Sequence, residues 1–290
     1  MLEEVLGAYT TVRAENEVLR KKLHTAETEI RNLTTFIEEV ALRLMSRSQG
    51  LVKGRQAEKE QLASSDDLSG TLRVHKDNFF LYNVNVKNTF GHSSSGGQAL
   101  ALSAYGTNHG YYGVGFYSYQ DTVLAEQGNQ FYGHCYIEGA VDYIFGQHAR
   151  AFFHKNTIAS VEAGAITADG PTSSSDNSIF VINQSTITTS PAATRSLTGL
   201  VYLGRPWTQY ARVVYTSCSL GSLINGAGWE PWSSSAPNTA NVLFAEYAST
   251  GAGAAGTRAS FSKKLSSNAG YTAADVLGSD WTSWVDQAYV

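Results

Sequence analysis

The sequence predicts an all-β solenoid, a β-helix, preceded by an α-helical coiled-coil segment, and three observations predict it. Tyr111, Tyr132 and Phe153 are bulky residues 21 apart, and five places after each stands another apolar residue, Phe116, Ile137 and Ile158. That period is too long for a helix or a hairpin and falls where each repeat is one turn of a solenoid. The β-branched and aromatic residues in it, with few helix-forming runs, favour strands over stacked helices. Residues 1–47 follow a separate, seven-residue rule. Finally, two-residue hairpin signals are lacking between the strand-like runs, which counts against an antiparallel sandwich, the competing architecture.

The heptad segment comes first. Leu2, Tyr9, Asn16, Leu23, Ile30, Ile37 and Leu44 recur every seven residues, interleaved with Val5, Val12, Leu19, Ala26, Leu33 and Val40. This is the a/d seam of a coiled coil. Glu15 and Lys22 fall at g positions, each five residues before an opposite charge at e, Arg20 and Glu27, and Asn16 at an a position favours a parallel dimer. Residues 2–44 are therefore expected to form a homo-oligomer, and the competing expectation is one amphipathic helix docked on the domain. Residues 48–67, polar and mixed in charge, are expected to be a linker. A β-helix domain with a C-terminal tail is expected over 68–290.

Strands are expected from Thr71, in TLRV and then FFLYNVNV, where Phe79 and Val84 repeat the offset of five. The same offset returns at Ile182 and Ile187 and at Tyr215 and Leu220, with polar loops at 93–97, 169–177 and 190–196 leaving one edge. QALAL, opened by Gln98, reads as a further strand. The tail is expected to close with a short helix at Ala273–Leu277 and an aromatic run in which Trp281 and Trp284 lie on the solenoid's side. Cys135 and Cys218 each follow a bulky marker by three residues, which predicts two buried thiols in one interior column, with a bridge between them as the alternative.

Composition narrows the function. A net charge of −4 with 16% charged residues argues against a phosphate-binding surface. No apolar run approaches the ~20 residues of a membrane-spanning helix, and the first 30 residues show no secretory h-region. The chemistry points to Asp121 and Asp142, which share the 21-residue period and so should sit on adjacent rungs, roughly 4.8 Å apart. Stacked carboxylates titrate as a coupled unit, one staying protonated to higher pH, which sets a proton donor beside an anionic nucleophile. Around them stand Gln98 and Gln120, neutral donors suited to an oxyanion. Arg205 is a cation able to hold a carboxylate ionised, and Trp207 offers a flat apolar face for a sugar ring.

QALAL, YQDT, GAVDYIFG and LGRPW, in this order and spacing, resemble the signature blocks of pectin methylesterases, and the chain from about Ser69 to Val290 resembles the fungal members. The resemblance implies a right-handed parallel β-helix, an extracellular location and hydrolysis of the methyl esters of polygalacturonan without metal or cofactor. It implies Asp142 as nucleophile, Asp121 as acid and then base, Gln98 and Gln120 as oxyanion hole, Arg205 as the holder of Asp142, and Trp207 with Phe145 lining the sugar groove. Two features depart from it. The family's Gly-x-Tyr-x-Glu block is replaced in position by the heptad segment, so the first solenoid turns are expected to be missing and an edge left open before Thr71. Leu124 stands where many members have a tyrosine. A second reading is an inactive carbohydrate-binding module oligomerised through its helix. A lyase would need clustered calcium ligands and a glycosidase carboxylates spaced about an anomeric carbon, and paired amides with one arginine suit an ester better.

Overall fold

The computed structural model describes residues 65–91 and 97–290, so the heptad of residues 1–47 and its expected pairing, the linker as far as residue 64, and most of the loop at 93–97 lie outside the described residues. A single helical turn, α1 (Asp66–Ser69), opens the described chain. Asp66 and Asp67, expected in the linker, thus belong to a helix, which Asp67 anchors by accepting hydrogen bonds from Arg73 and from Ser103 (2.6 Å).

From there the chain winds in coils that each lay one strand on three faces. The first coil is β1 (Leu72–Val74), β2 (Phe80–Tyr82) and β3 (Asn85–Lys87). The second is β4 (Leu102–Tyr105), β5 (His109–Tyr112) and β6 (Gly115–Tyr117). In the third, β7 (Val123–Gly133) runs through two faces before β8 (Tyr136–Gly139). Then follow β9 (Ile144–Gly146), β10 (His148–His154) and β11 (Thr157–Ser160), and β12 (Gly164–Asp169), β13 (Ile179–Asn183) and β14 (Thr186–Thr189). The last strands are β15 (Val201–Gly204), β16 (Arg212–Thr216), β17 (Ser219–Leu220), β18 (Leu243–Tyr247) and β19 (Ser262–Lys264). Every pairing among them is parallel, as one-turn-per-repeat winding requires and a hairpin sandwich forbids.

The 21-residue period is the coil. Tyr111 pairs with Tyr132 and Tyr132 with Phe153, their rings stacked at 4.8 and 4.4 Å between centroids, while Phe116, Ile137 and Ile158 pair in the third face. Ile182 and Tyr215 continue the first column, Ile187 and Leu220 the second. The first coil differs from expectation by two residues: Leu81 and Val86, not Phe79 and Val84, pair with Tyr111 and Phe116. Side chains two apart on a strand share a face, so all four pack on the core and only the register distinguishes them. QALAL is likewise not a strand as a whole, because β4 begins at its last residue, Leu102.

What bends the chain between the second and third faces is one left-handed residue per coil. Asn83, Gly113, His134, Lys155, Gln184, Ser217 and Ala248 have φ between 48° and 61°. Only glycine and asparagine adopt that region readily. His134, Lys155, Gln184 and Ser217 are held there because their N–H groups complete the inter-coil ladder, as with His134 to His154 O (3.0 Å) and Lys155 to Asn183 O (3.0 Å). Just past this bend Cys135, Asn156, Ser185 and Cys218 form one interior column; Asn156 Oδ1 accepts the Cys135 N–H at 2.6 Å. Both thiols are buried and free, and three rungs, ~14 Å at the usual spacing, put a disulfide out of reach.

The outer side of the second face is covered by the tail. Helix α2 (Ala273–Leu277) forms where expected, with a Thr272–Asp275 capping box, and Trp281, Trp284 and Tyr289 pack with it over Tyr112, Phe131 and Phe152. At the far end the aromatic column stops at Glu246, paired with Tyr215 in register and held by both arms of Arg258 at 2.7 and 3.0 Å. At the near end, Leu68, Phe80 and Tyr82 are exposed, and β1, β2 and β3 pair on one side only among the described residues.

Candidate active site

The outer side of the first face carries the site. Inward residues alternate with outward ones, so Ile144 enters the core while Phe145 points out, beside Leu124 and Ala168 on neighbouring strands. With Leu100 these residues form an apolar floor on which Trp207, Trp232 and Tyr105 pack. Leu124, the departure noted in the sequence, is a 3% exposed member of that floor.

Asp121 and Asp142 stand where the chain enters this face. Gln120 bridges Val141 and Val123 pairs with Ile144, so the two aspartates occupy the same position of successive coils. Both adopt the left-handed conformation, φ 61° and 50°, which aspartate tolerates better than most side chains. Their N–H groups continue the ladder, Asp121 to Val141 O (3.0 Å) and Asp142 to Ala165 O (2.8 Å), leaving both carboxyls for a cavity of about 190 Å³.

Arg205 separates the two electrically. It follows β15, is pinned by its N–H to Thr167 O (3.0 Å), and grips Asp142 through Nε (2.9 Å) and Nη2 (2.7 Å). The ring of Trp232 lies 4.4 Å beneath the guanidinium. Burial pushes the Asp121 carboxyl well above the usual carboxylate range, and the charges of Asp142 and Asp66 push the same way. Burial raises Asp142 too, but the Arg205 fork opposes it, so Asp142 is the first of the pair to lose its proton.

Gln98, exposed, and Gln120, half-buried, both line the cavity, and neither amide is drawn into a side-chain hydrogen bond with the described residues. Trp207 completes the wall, its ring 6.3 Å from that of Phe145 and pressed on Gly170, where a Cβ would come within 2.7 Å of it. The seven residues singled out in the sequence, Gln98, Gln120, Asp121, Asp142, Phe145, Arg205 and Trp207, thus all line one cavity. A carboxyl in an arginine fork, a second without one, and two amides with no side-chain partner among the described residues, all around a single space, are parts suited to acyl transfer.

The pectinesterase family model matches residues 32–275. The chain belongs to the pectinesterase family. A pectinesterase of Aspergillus aculeatus is 51% identical over 233 residues, covering 79% of this chain and 69% of the relative, and one of Aspergillus niger is 49% identical, covering 78% and 68%. Among solved structures, the pectin methylesterase of Aspergillus niger superposes with a TM-score of 0.72 at 40% identity, over 79% of this chain and 73% of that one. The carrot pectin methylesterase gives 0.71 at 29%, over 77% and 72%.

Three residues of the pectinesterase cavity escaped the sequence. Asp66 reaches it from α1, a segment that read as linker, and Trp232 and Ala168 come from stretches without a motif. The only signal for Trp232 was a second tryptophan in WEPW, three residues after the interior Trp229.

Proposed function

We propose that the chain hydrolyses galacturonate methyl esters in pectin and releases methanol through a covalent intermediate on Asp142. An Asp142 oxygen attacks the ester carbonyl carbon, and the oxyanion accepts hydrogen bonds from the Gln98 and Gln120 amides. The C–O bond to the methoxy group then breaks as Asp121 gives it a proton. Methanol leaves, with an anhydride between substrate and Asp142. Asp121, now ionised, takes a proton from water, whose oxygen attacks the acyl carbon and returns Asp142 as carboxylate and Asp121 as acid. Trp207 and Phe145 face the sugar, and Arg205 keeps Asp142 ionised and aimed.

The observation that carries this reading is the asymmetry of the stacked pair, one carboxylate in an arginine fork and the other without one. A binding module that performs no chemistry has no need of it. Methanol release from highly methylated pectin by the unmodified chain is the test, and the role of Asp142 is lost if Asp142→Asn keeps more than about a tenth of the rate. In the same reading the β-helix is right-handed, as parallel crossovers are, and the protein works outside the cell, where its substrate is. Residues 2–44 join chains in parallel; sedimentation showing a monomer at micromolar concentration would refute that last point.

A further inference from the structure

A further carboxyl stands beside Arg205, on the side away from Asp142. Thr167 pairs with Gly204 and Gly204 bridges Trp229, so the residues that follow them, Ala168, Arg205 and Glu230, share one column on successive coils. Backbone bonds repeat this register, the Arg205 N–H donating to Thr167 O (3.0 Å) and the Glu230 N–H to Gly204 O (3.2 Å). Glu230 is thus one rung, ~4.8 Å, beyond Arg205, whereas Asp142 belongs to a coil on the other side of it. The guanidinium is drawn back to Asp142, and its remaining N–H groups have no acceptor among the described residues.

Glu230 is half-buried, and among the described residues its carboxyl makes no hydrogen bond and no ion pair. Burial raises its pKa, the positive charge of Arg205 opposes that rise, and the negative charge of Asp142 adds to it. A carboxyl left one rung from a cation that already has its anion gains little in the resting state. The reaction changes that, because it moves charge. Before attack, Asp142 carries the negative charge and Asp121 the proton. Once methanol has left, Asp142 is one half of an anhydride and neutral, and Asp121 carries the charge. Arg205 then has no anion in its fork. Turning towards Asp121 would stabilise the ionised form of that carboxyl and make it a weaker base for the water that must attack next. Glu230 lies on the opposite side of the guanidinium, and loss of the Asp142 charge removes one of the two influences that hold a proton on it.

Resting on the esterase reading, we propose that Glu230 is a positioning residue that becomes the counter-ion of Arg205 while Asp142 is acylated, holding the cation away from Asp121 so that Asp121 can activate water. It acts through Arg205 and touches neither the substrate nor the reacting atoms. The first half of the reaction, in which Asp142 itself holds Arg205, does not need Glu230; the second half does.

The experiment separates the two halves. Methanol leaves in the first, so rapid-quench measurement of methanol from highly methylated pectin reports acylation as a burst and deacylation as the steady rate that follows. In Glu230→Gln the burst should approach one methanol per active site. Its kcat and KM should fall together, about five- to tenfold, while kcat/KM, which deacylation does not enter, stays within about twofold. Glu230→Ala removes the same charge without placing an amide, so a failure of either variant to fold leaves the other to decide. Glu230→Asp keeps the charge on a shorter arm and should return kcat to within about threefold of the unmodified chain. A kcat/KM that falls in step with kcat, or a folded variant with kcat and KM unchanged and no burst, overturns the role of Glu230. An unmodified chain that releases no methanol overturns the esterase reading instead.

Discussion

Asp121 and Asp142 leave the backbone through the same left-handed bend, one coil apart, and only Asp142 is gripped by Arg205. An identical stacked position thus holds two carboxyls with different affinities for a proton. Replacing Arg205 by leucine should leave Asp142 buried without its counter-ion, raise its pKa further and cut activity at neutral pH by at least about tenfold. Part of that loss should return as the pH is raised, because Asp142 then ionises unaided. Activity of Arg205→Leu that falls further on raising the pH would contradict the assignment.

Asp66 is the third carboxyl in the cavity, and its charge helps keep the proton on Asp121. Asp66→Asn removes that charge. Asp121 should then lose its proton at lower pH, and the alkaline limb of the kcat profile should move towards acid while the plateau stays within about twofold. A limb that does not move, or moves the other way, would show that Asp66 is not coupled to Asp121.

Stability carries the same signature. Because the folded-state pKa of Asp121 lies above its unfolded value, the unfolded chain releases this proton first, and the native state loses stability as pH rises through the folded value. Asp121→Asn cannot ionise. It should match the parent in acid and exceed its Tm by a few degrees above neutrality. Thermal melts from pH 4 to 9 decide the matter, and parallel curves for the two proteins would remove the burial argument.

Gly170 lets Trp207 lie flat on the loop, and a methyl group there would press on its ring. Gly170→Ala should tilt the indole and raise KM for pectin about three- to tenfold, in line with the loss of one aromatic contact. The Asp142–Arg205 pair is untouched, so kcat should change little. A fall in kcat with KM unchanged would place Trp207 in the chemistry instead of in sugar binding.

The solenoid was legible because its period is written in bulky residues that have no choice of face: Tyr111, Tyr132 and Phe153 stack as their spacing required. Register failed only at the first coil, where Phe79 and Leu81 are both apolar, both inward, and separated by one period of the strand. The acid pair was legible from the same spacing, and the amides, Arg205 and Trp207 from their blocks. Asp66 was hidden because a carboxylate in a polar stretch looks like any solvated charge until the fold carries it to the cavity. Trp232 was hidden because its partner, Arg205, lies 27 residues earlier and meets it only through the next coil.

The coils are not all the same length. From Tyr111 to Phe153 they take 21 residues each, whereas the next two steps along the same column, to Ile182 and to Tyr215, take 29 and 33, the excess spent in the loops that build Trp207's surroundings. The step before these coils, from Leu81 to Tyr111, takes 30, so the extra length lies on both sides of the acid pair and none of it between the two carboxyls. A single residue gained or lost between Asp121 and Asp142 would slide one carboxyl off the other. Loop length around the site can change without moving one acid past the other, because the spacing of the pair is fixed by the pitch of the coil.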